Sequence, residues 1–275
     1  MGFTVVENEI RQIWAPVGLS AADTADTLYE GQIVSSLIAA GQPAGEGLTP
    51  INAAAGHSDT TGRAVPFGVV LAGNDATPTY NSTYKGMSIT SVKTQAEQLA
   101  RDFRGAEGMY SKGDPAALAK VSVIGPSTIL KGPIFLAAYG TAPTVYTNTA
   151  ASSGGDTITT TATAMTPVTY NTTWYCRTGA NKGLYRVAYS TSTTSHTFYI
   201  HFPYTIAVGD TFVPVCLRVG TCLANFDAES TFIEQQPATG TNDYSLDVLE
   251  INLEKAGEEY AIFKFNADQF CAMRA

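Results

Sequence analysis

Apolar and polar residues alternate with a period of two along much of this chain, the spacing of half-buried β-strands. One such run covers residues 10–14 and a second covers residues 28–37, Leu-Tyr-Glu-Gly-Gln-Ile-Val-Ser-Ser-Leu. Residues 65–71 are almost wholly apolar, which predicts a central strand buried on both faces. A Gly- and Pro-rich stretch over 41–47, a short strand over 48–51 and a glycine-bounded polar loop over 53–63 lie between them. Strand-like runs return at 121–124 and 134–139. Farther on, Tyr185, Val187 and Tyr189 alternate with Leu184, Arg186 and Ala188, and Phe198, Ile200 and Phe202 alternate with Tyr199 and His201. Residues 212–219 read as the next strand. Residues 246–253 and 260–265 predict a closing hairpin, with Leu249, Ile251 and Leu253 sharing one face and Ala261, Phe263 and Phe265 sharing another.

A single segment follows the helical period instead. Val92, Ala96, Leu99, Ala100 and Phe103 form one apolar stripe, Thr94 and Glu97 offer a capping box, and Gly105 supplies a stop. This predicts a helix over 91–104. The composition then changes at residue 140, where Thr, Ala, Ser and Gly dominate up to residue 173. Thr tolerates a pleated surface, so this stretch predicts an exposed hairpin or an edge strand.

The fold expected from these patterns is all-β, with two small barrel- or sandwich-like units and one short helix. An N-terminal β-domain would take residues 1–139, helix included, and a second β-domain residues 140–235. The hairpin in residues 236–275 can return to the first domain, leaving the second as an insertion. Leu28-Tyr-Glu-Gly-Gln-Ile-Val is echoed by Ile206-Ala-Val-Gly-Asp-Thr-Phe-Val, each an apolar entry, a turn glycine, a polar residue and an apolar exit. Two related units or convergent turn chemistry would both produce that match.

Charge narrows the partners. With 24 acidic and 16 basic residues the formal charge is −8, and Lys and Arg nowhere cluster as phosphate backbones require. Direct nucleic-acid binding is not expected. The first residues lack a basic segment followed by an apolar one, and no run approaches the length of a membrane span, so no membrane contact is expected. Cys176, Cys216, Cys222 and Cys271 contain no CxxC pair. Cys216 and Cys222 can face each other across a hairpin turn, but buried free thiols are the expected state.

Candidate chemistry is sparse. Gly56-His57-Ser58-Asp59 contains the residue types of a catalytic triad, but triad members converge from separate elements, so a turn is expected. His196 and His201, five residues apart, would point to opposite faces of a strand, and their spacing to Cys216 and Cys222 matches no zinc arrangement. Gly41, Gly45 and Gly47 fit neither a phosphate loop nor a dinucleotide fingerprint. Asp23 with Asp26, Asp227 with Glu229, and Glu258 with Glu259 are the carboxylate pairs that a glycosidase reading would need. Solvated acidic surface is the expectation for them, with no catalytic residue, no cofactor site and no metal site.

Three runs carry a resemblance: Asp26-Thr-Leu-Tyr-Glu-Gly-Gln-Ile-Val, Gly62-Arg-Ala-Val-Pro-Phe-Gly-Val-Val-Leu and Asn81-Ser-Thr-Tyr-Lys-Gly-Met. They resemble segments of the head-decoration, or cement, proteins of tailed bacteriophages, over residues 20–92. The resemblance implies a barrel strand entered through a turn glycine, and a structural virion protein on the outer capsid face, made in the host cytoplasm. It implies the major capsid protein as partner and a homo-oligomer, a trimer above others. Phe3, Val5 and Ile10 would be intermolecular contacts if the N-terminal segment is an arm; the alternative is that the segment is the first strand of its own domain. A second functional reading is a tail or surface protein that binds a host glycan or receptor through the second β-domain.

Overall fold

The computed structural model describes residues 2–7, 11–17, 27–36, 48–51, 65–73, 78–90, 118–137, 139–161, 172–192, 194–227, 229–235 and 244–271. Among the described residues the regular elements are strands, apart from one four-residue helix, α1 (Asp268–Cys271). The all-β expectation holds. The predicted helix over 91–104 lies outside the described residues. The chain divides into two compact units, Met1–Lys131 with Phe226–Thr231 and Ala267–Ala275, and Gly132–Asn225 with Phe232–Asn266.

In the first unit an antiparallel sheet runs in the order β2 (Gln12–Pro16), β9 (Leu118–Val123), β6 (Pro66–Gly73), β4 (Ile33–Ser36) and β5 (Leu48–Pro50). Two bulges in β6, at Phe67 against β4 and at Leu71 against β9, bend this sheet, and the second turns Leu71 outward just past the buried Val69 and Val70. The sheet curls until Val17, one residue beyond β2, bridges to Leu48 of β5, giving a half-closed barrel. Three further strands, β3 (Thr27–Tyr29), β8 (Gly86–Thr90) and β7 (Tyr80–Asn81), form a second sheet. Leu28 and Ile89 from that sheet join Val17, Val34, Leu48, Val70 and Val121 in one core. The run Asn81-Ser-Thr-Tyr-Lys-Gly-Met is the β7–β8 hairpin, closed by the Asn81 side chain accepting from the backbone N–H groups of Thr83 and Tyr84.

The two halves of the sequence echo share one turn. The Gln32 N–H donates to the Tyr29 carbonyl and the Asp210 N–H to the Ala207 carbonyl. Gly31 and Gly209 occupy the third turn position at φ +83° and +93°, where only glycine is unstrained. The polar residue then folds back: Gln32 Oε1 accepts from the Tyr29 N–H at 2.6 Å, and Asp210 Oδ2 accepts from the Ala207 N–H at 2.8 Å. Leu28 and Ile206, at the entries, are fully buried. Gly31 has a second reason to lack a side chain, because a Cβ there would lie 2.7 Å from the Gly2 Cα.

In the second unit a six-stranded sheet runs β11 (Tyr146–Thr147), β16 (Thr211–Val215), β13 (Thr173–Cys176), β14 (Tyr185–Thr191), β15 (Ser195–Phe198) and β12 (Thr157–Thr159). The Thr-rich stretch supplies β11 and β12, the two edges, and Thr157 faces Thr197 across the outer pair. Trp174, Phe198, Phe202, Ile206 and Phe212 fill the core beneath. A second sheet of this unit contains β10 (Ile129–Phe135), β20 (Tyr260–Phe265), β19 (Tyr244–Asn252) and β17 (Gly220–Ala224), with β18 (Ile233–Glu234) parallel to β10.

Several expectations need correction. The predicted strand over 212–219 ends at Val215, and Gly220, at φ +99°, starts β17 in the other sheet. Cys216 and Cys222 therefore do not face each other across a hairpin; both are buried free thiols. The closing hairpin β19–β20 belongs with the second unit, where the first half of β19, from Tyr244 to Val248, pairs with β17. Ala261, Phe263 and Phe265 share the buried face as expected, but a bulge between Val248 and Glu250 leaves Leu249 48% exposed while Leu253 is buried. The boundaries 139 and 235 also move. Phe226–Thr231 belongs to the first unit, where Phe226 packs edge-on against Phe3 and the Ser230 carbonyl accepts from the Ile33 N–H. Removal of residues 140–235 would take that segment away.

Asn148 is fully buried and bonds three backbone groups: it donates to the carbonyls of Ala150 (2.7 Å) and Ala207 (2.8 Å) and accepts from the Thr159 N–H (2.9 Å). Asn148→Ala would remove all three bonds at once, leaving the Ala207 carbonyl only the Asp210 N–H. A loss of roughly 3 kcal/mol in urea unfolding is expected, and Asn148→Asp, which cannot donate, should lose at least as much.

Candidate interaction surfaces

Strand β2 is the exposed edge of the half-barrel. Its one strand neighbour among the described residues is β9, and from Arg11 to Trp14 every side chain is exposed. Ile13 pairs with buried Val121 and so lies at the rim of the core face, while Trp14 pairs with Lys120 on the opposite face. Trp14 is 51% exposed, an unusual state for the largest apolar side chain. A strand edge with no partner among the described residues, flanked by two apolar anchors, makes a template for another strand. Sequence reasoning passed over both residues because an alternating run does not show whether its strand is central or at an edge.

The predicted contact residues are placed differently. Phe3 is 2% exposed, its ring 5.5 Å from that of Phe226, and its N–H donates to the Gly31 carbonyl. Val5 lies in β1 (Thr4–Glu7) opposite Leu130 of β10. The segment is thus the first strand of its own unit and not a free arm, because its backbone and its aromatic anchor are both already used. Ile10 lies outside the described residues.

Several of the described titratable candidates take structural roles. His57, Ser58, Asp59, Asp23, Asp26, Gly41, Gly45 and Gly47 lie outside the described residues. His196 is buried with its ring 4.3 Å from that of Trp174, and His201 is exposed. Burial pushes the His196 imidazole down to about 4, and its Nδ1 has no hydrogen-bond partner. Burial likewise pushes the Cys176 thiol up to about 11 and the Cys216 thiol up to about 12, so neither is a ready nucleophile. Asp227 accepts from both the N–H and the hydroxyl of Thr231, and Glu229 accepts from Gln32 Nε2. No three His, Cys, Asp or Glu side chains among the described residues group as a metal site. No helix among them is long and apolar enough to cross a membrane.

A shallow groove of about 700 Å³ on the second unit is lined by Arg177, Lys182, Asn252, Glu254, Lys255 and Tyr260, among others. Two of its cations are already matched. Lys255 pairs with Glu258, and the Arg177 guanidinium meets the fully buried side chain of Glu259 while also donating to the Leu253 carbonyl. That second pair is a tie between loops. Losing one partner would leave a buried charge uncompensated, at a cost of about 3–5 kcal/mol. No protein-family model, curated protein or solved structure matches this chain.

His196 makes the second unit sensitive to mild acid. Above pH 6.5 the imidazole is neutral in folded and unfolded chains alike. As pH falls from 6.5 towards 4 only the unfolded chain takes up the proton, so stability is lost across that window, by about 2–3 kcal/mol in all. Urea unfolding of His196→Leu should show a flatter stability profile than wild type between pH 6.5 and 5, with equal or higher stability at the lower end.

Proposed function

We propose that this protein is a structural component of a tailed-bacteriophage virion that decorates and stabilises the outer face of the capsid. The observation that carries the reading is the exposed edge strand β2 with Ile13 and Trp14 on its two sides. Such an edge accepts a strand or loop of a neighbour through main-chain hydrogen bonds, and a tryptophan seated in the neighbour's pocket supplies the anchor. The occupant proposed is the major capsid protein. The resemblance of residues 20–92 to head-decoration proteins supports this choice. The net charge of −8 does too, since it suits an outer surface better than contact with packaged DNA. A trimer would suit a junction between three capsomers. The role calls for no catalytic group, cofactor or metal, and the protein would be made in the host cytoplasm before joining the shell.

Co-sedimentation with undecorated shells tests this directly. Trp14→Ala should weaken shell binding roughly 30-fold or more while the melting temperature of the isolated protein stays unchanged, since the side chain is half exposed. Wild-type protein that fails to pellet with shells, or a Trp14→Ala variant that binds as tightly as wild type, would sink the proposal.

A further inference from the structure

The outward face of the second unit's six-stranded sheet changes character across its width. At β16 and β13 it is buried under the rest of the unit, with Val213, Val215 and Thr173 at 0–1% exposure. Register continues this face onto Tyr185, opposite Tyr175, and then onto Tyr189 and Tyr199. There it is open: Tyr185 is 47%, Tyr189 41% and Tyr199 64% exposed. The bulge between Ala188 and Ser190 leaves Tyr189 without a cross-strand partner in the ladder, and its ring lies 4.9 Å from that of Tyr199. Beyond the rings comes a row of hydroxyls, with Thr157 opposite Thr197 and Thr159 opposite Ser195.

Two properties of this face select an occupant. Flat phenol rings offer electron-rich surfaces that attract polarised C–H groups, and the adjacent hydroxyls both donate and accept. No Lys, Arg, Asp or Glu side chain occupies the outward positions from Tyr185 to Thr159, although the chain as a whole carries a charge of −8. Such a face gains nothing from a charged partner and matches one that is neutral, hydroxyl-rich and lined with C–H groups. We infer that the sheet formed by β14, β15 and β12 binds neutral polysaccharide, with Tyr189 and Tyr199 as stacking platforms and Thr157, Thr159 and Thr197 as hydrogen-bonding partners. This binding activity is separate from the shell contact at β2 and does not depend on it.

Saturation-transfer NMR on the full chain decides the matter, with maltohexaose, chitohexaose and a galactan oligomer as neutral probes and heparin and hyaluronan oligomers as anionic ones. Transfer to ring C–H protons of at least one neutral probe is expected, and to neither anionic probe. Tyr189→Ala and Tyr199→Ala should each weaken that binding roughly tenfold, while Tyr199→Phe, which keeps the ring, should bind nearly as wild type. Because the rings are exposed, all three variants should melt with wild type. Shell binding by Tyr189→Ala/Tyr199→Ala should be intact, which separates this surface from the β2 contact. No transfer to any neutral probe at millimolar sugar, preference for an anionic probe, unchanged binding in the double variant, or loss of shell binding in it would each overturn the inference.

Discussion

Buried backbone that belongs to no strand must still find hydrogen-bond partners, and in this protein side-chain amides supply them. Gln32, Asn148, Asn181 and Gln235 are each fully buried. Asn181 reads both the N–H and the carbonyl of Tyr204, and Gln235 bonds both the N–H and the carbonyl of Thr144 while donating to the Pro214 carbonyl. An amide suits this work because it both donates and accepts, and it carries no charge to desolvate. The strands are short, several of only two or three residues. Many of the described residues therefore lie outside strands, and these amides satisfy part of their backbone.

That reliance explains what the sequence made legible. Turn chemistry is local, so the glycines at 31 and 209 and the polar residues after them could be read directly, and the echo between them is one turn built twice. Alternation is local too, and it located most strands. The failures are tertiary. A short apolar run such as Phe3 to Val6 reads alike as an arm or as a first strand, and only Phe226, more than two hundred residues away, decides between them. The change of sheet between Val215 and Gly220 and the bulge that exposes Leu249 interrupt runs whose apolar spacing continues unbroken. Trp14 carried no signal because its exposure comes from β2 lying at the edge of a barrel that closes at a single bridge.

The candidate surfaces follow from the same economy of charge. Only 15% of the residues are charged, with a net charge of −8, so little charge is available to cover the surface. Apolar exposure occurs where sheets run out, at β2 and on the outward face of β14 and β15, as well as at separate positions such as Val6, Tyr80 and Val208. These are places where a partner gains contact area without the protein having to open. His196, Cys176 and Cys216, which first drew attention as chemistry, are packing elements whose burial suppresses reactivity.

The division of the chain also sets an order of events during synthesis. The first unit contains Phe226–Thr231 and Ala267–Ala275, so its core cannot close when its own early strands leave the ribosome. Phe3 waits for Phe226, and Ile33 waits for Ser230. Such distant pairings are slow to form, and the waiting strands, the open edge of β2 among them, stay exposed to neighbouring nascent chains. A cell making many copies at once would therefore meet the half-built first unit as an aggregation hazard until Phe226–Thr231 and the segment from Ala267 have emerged.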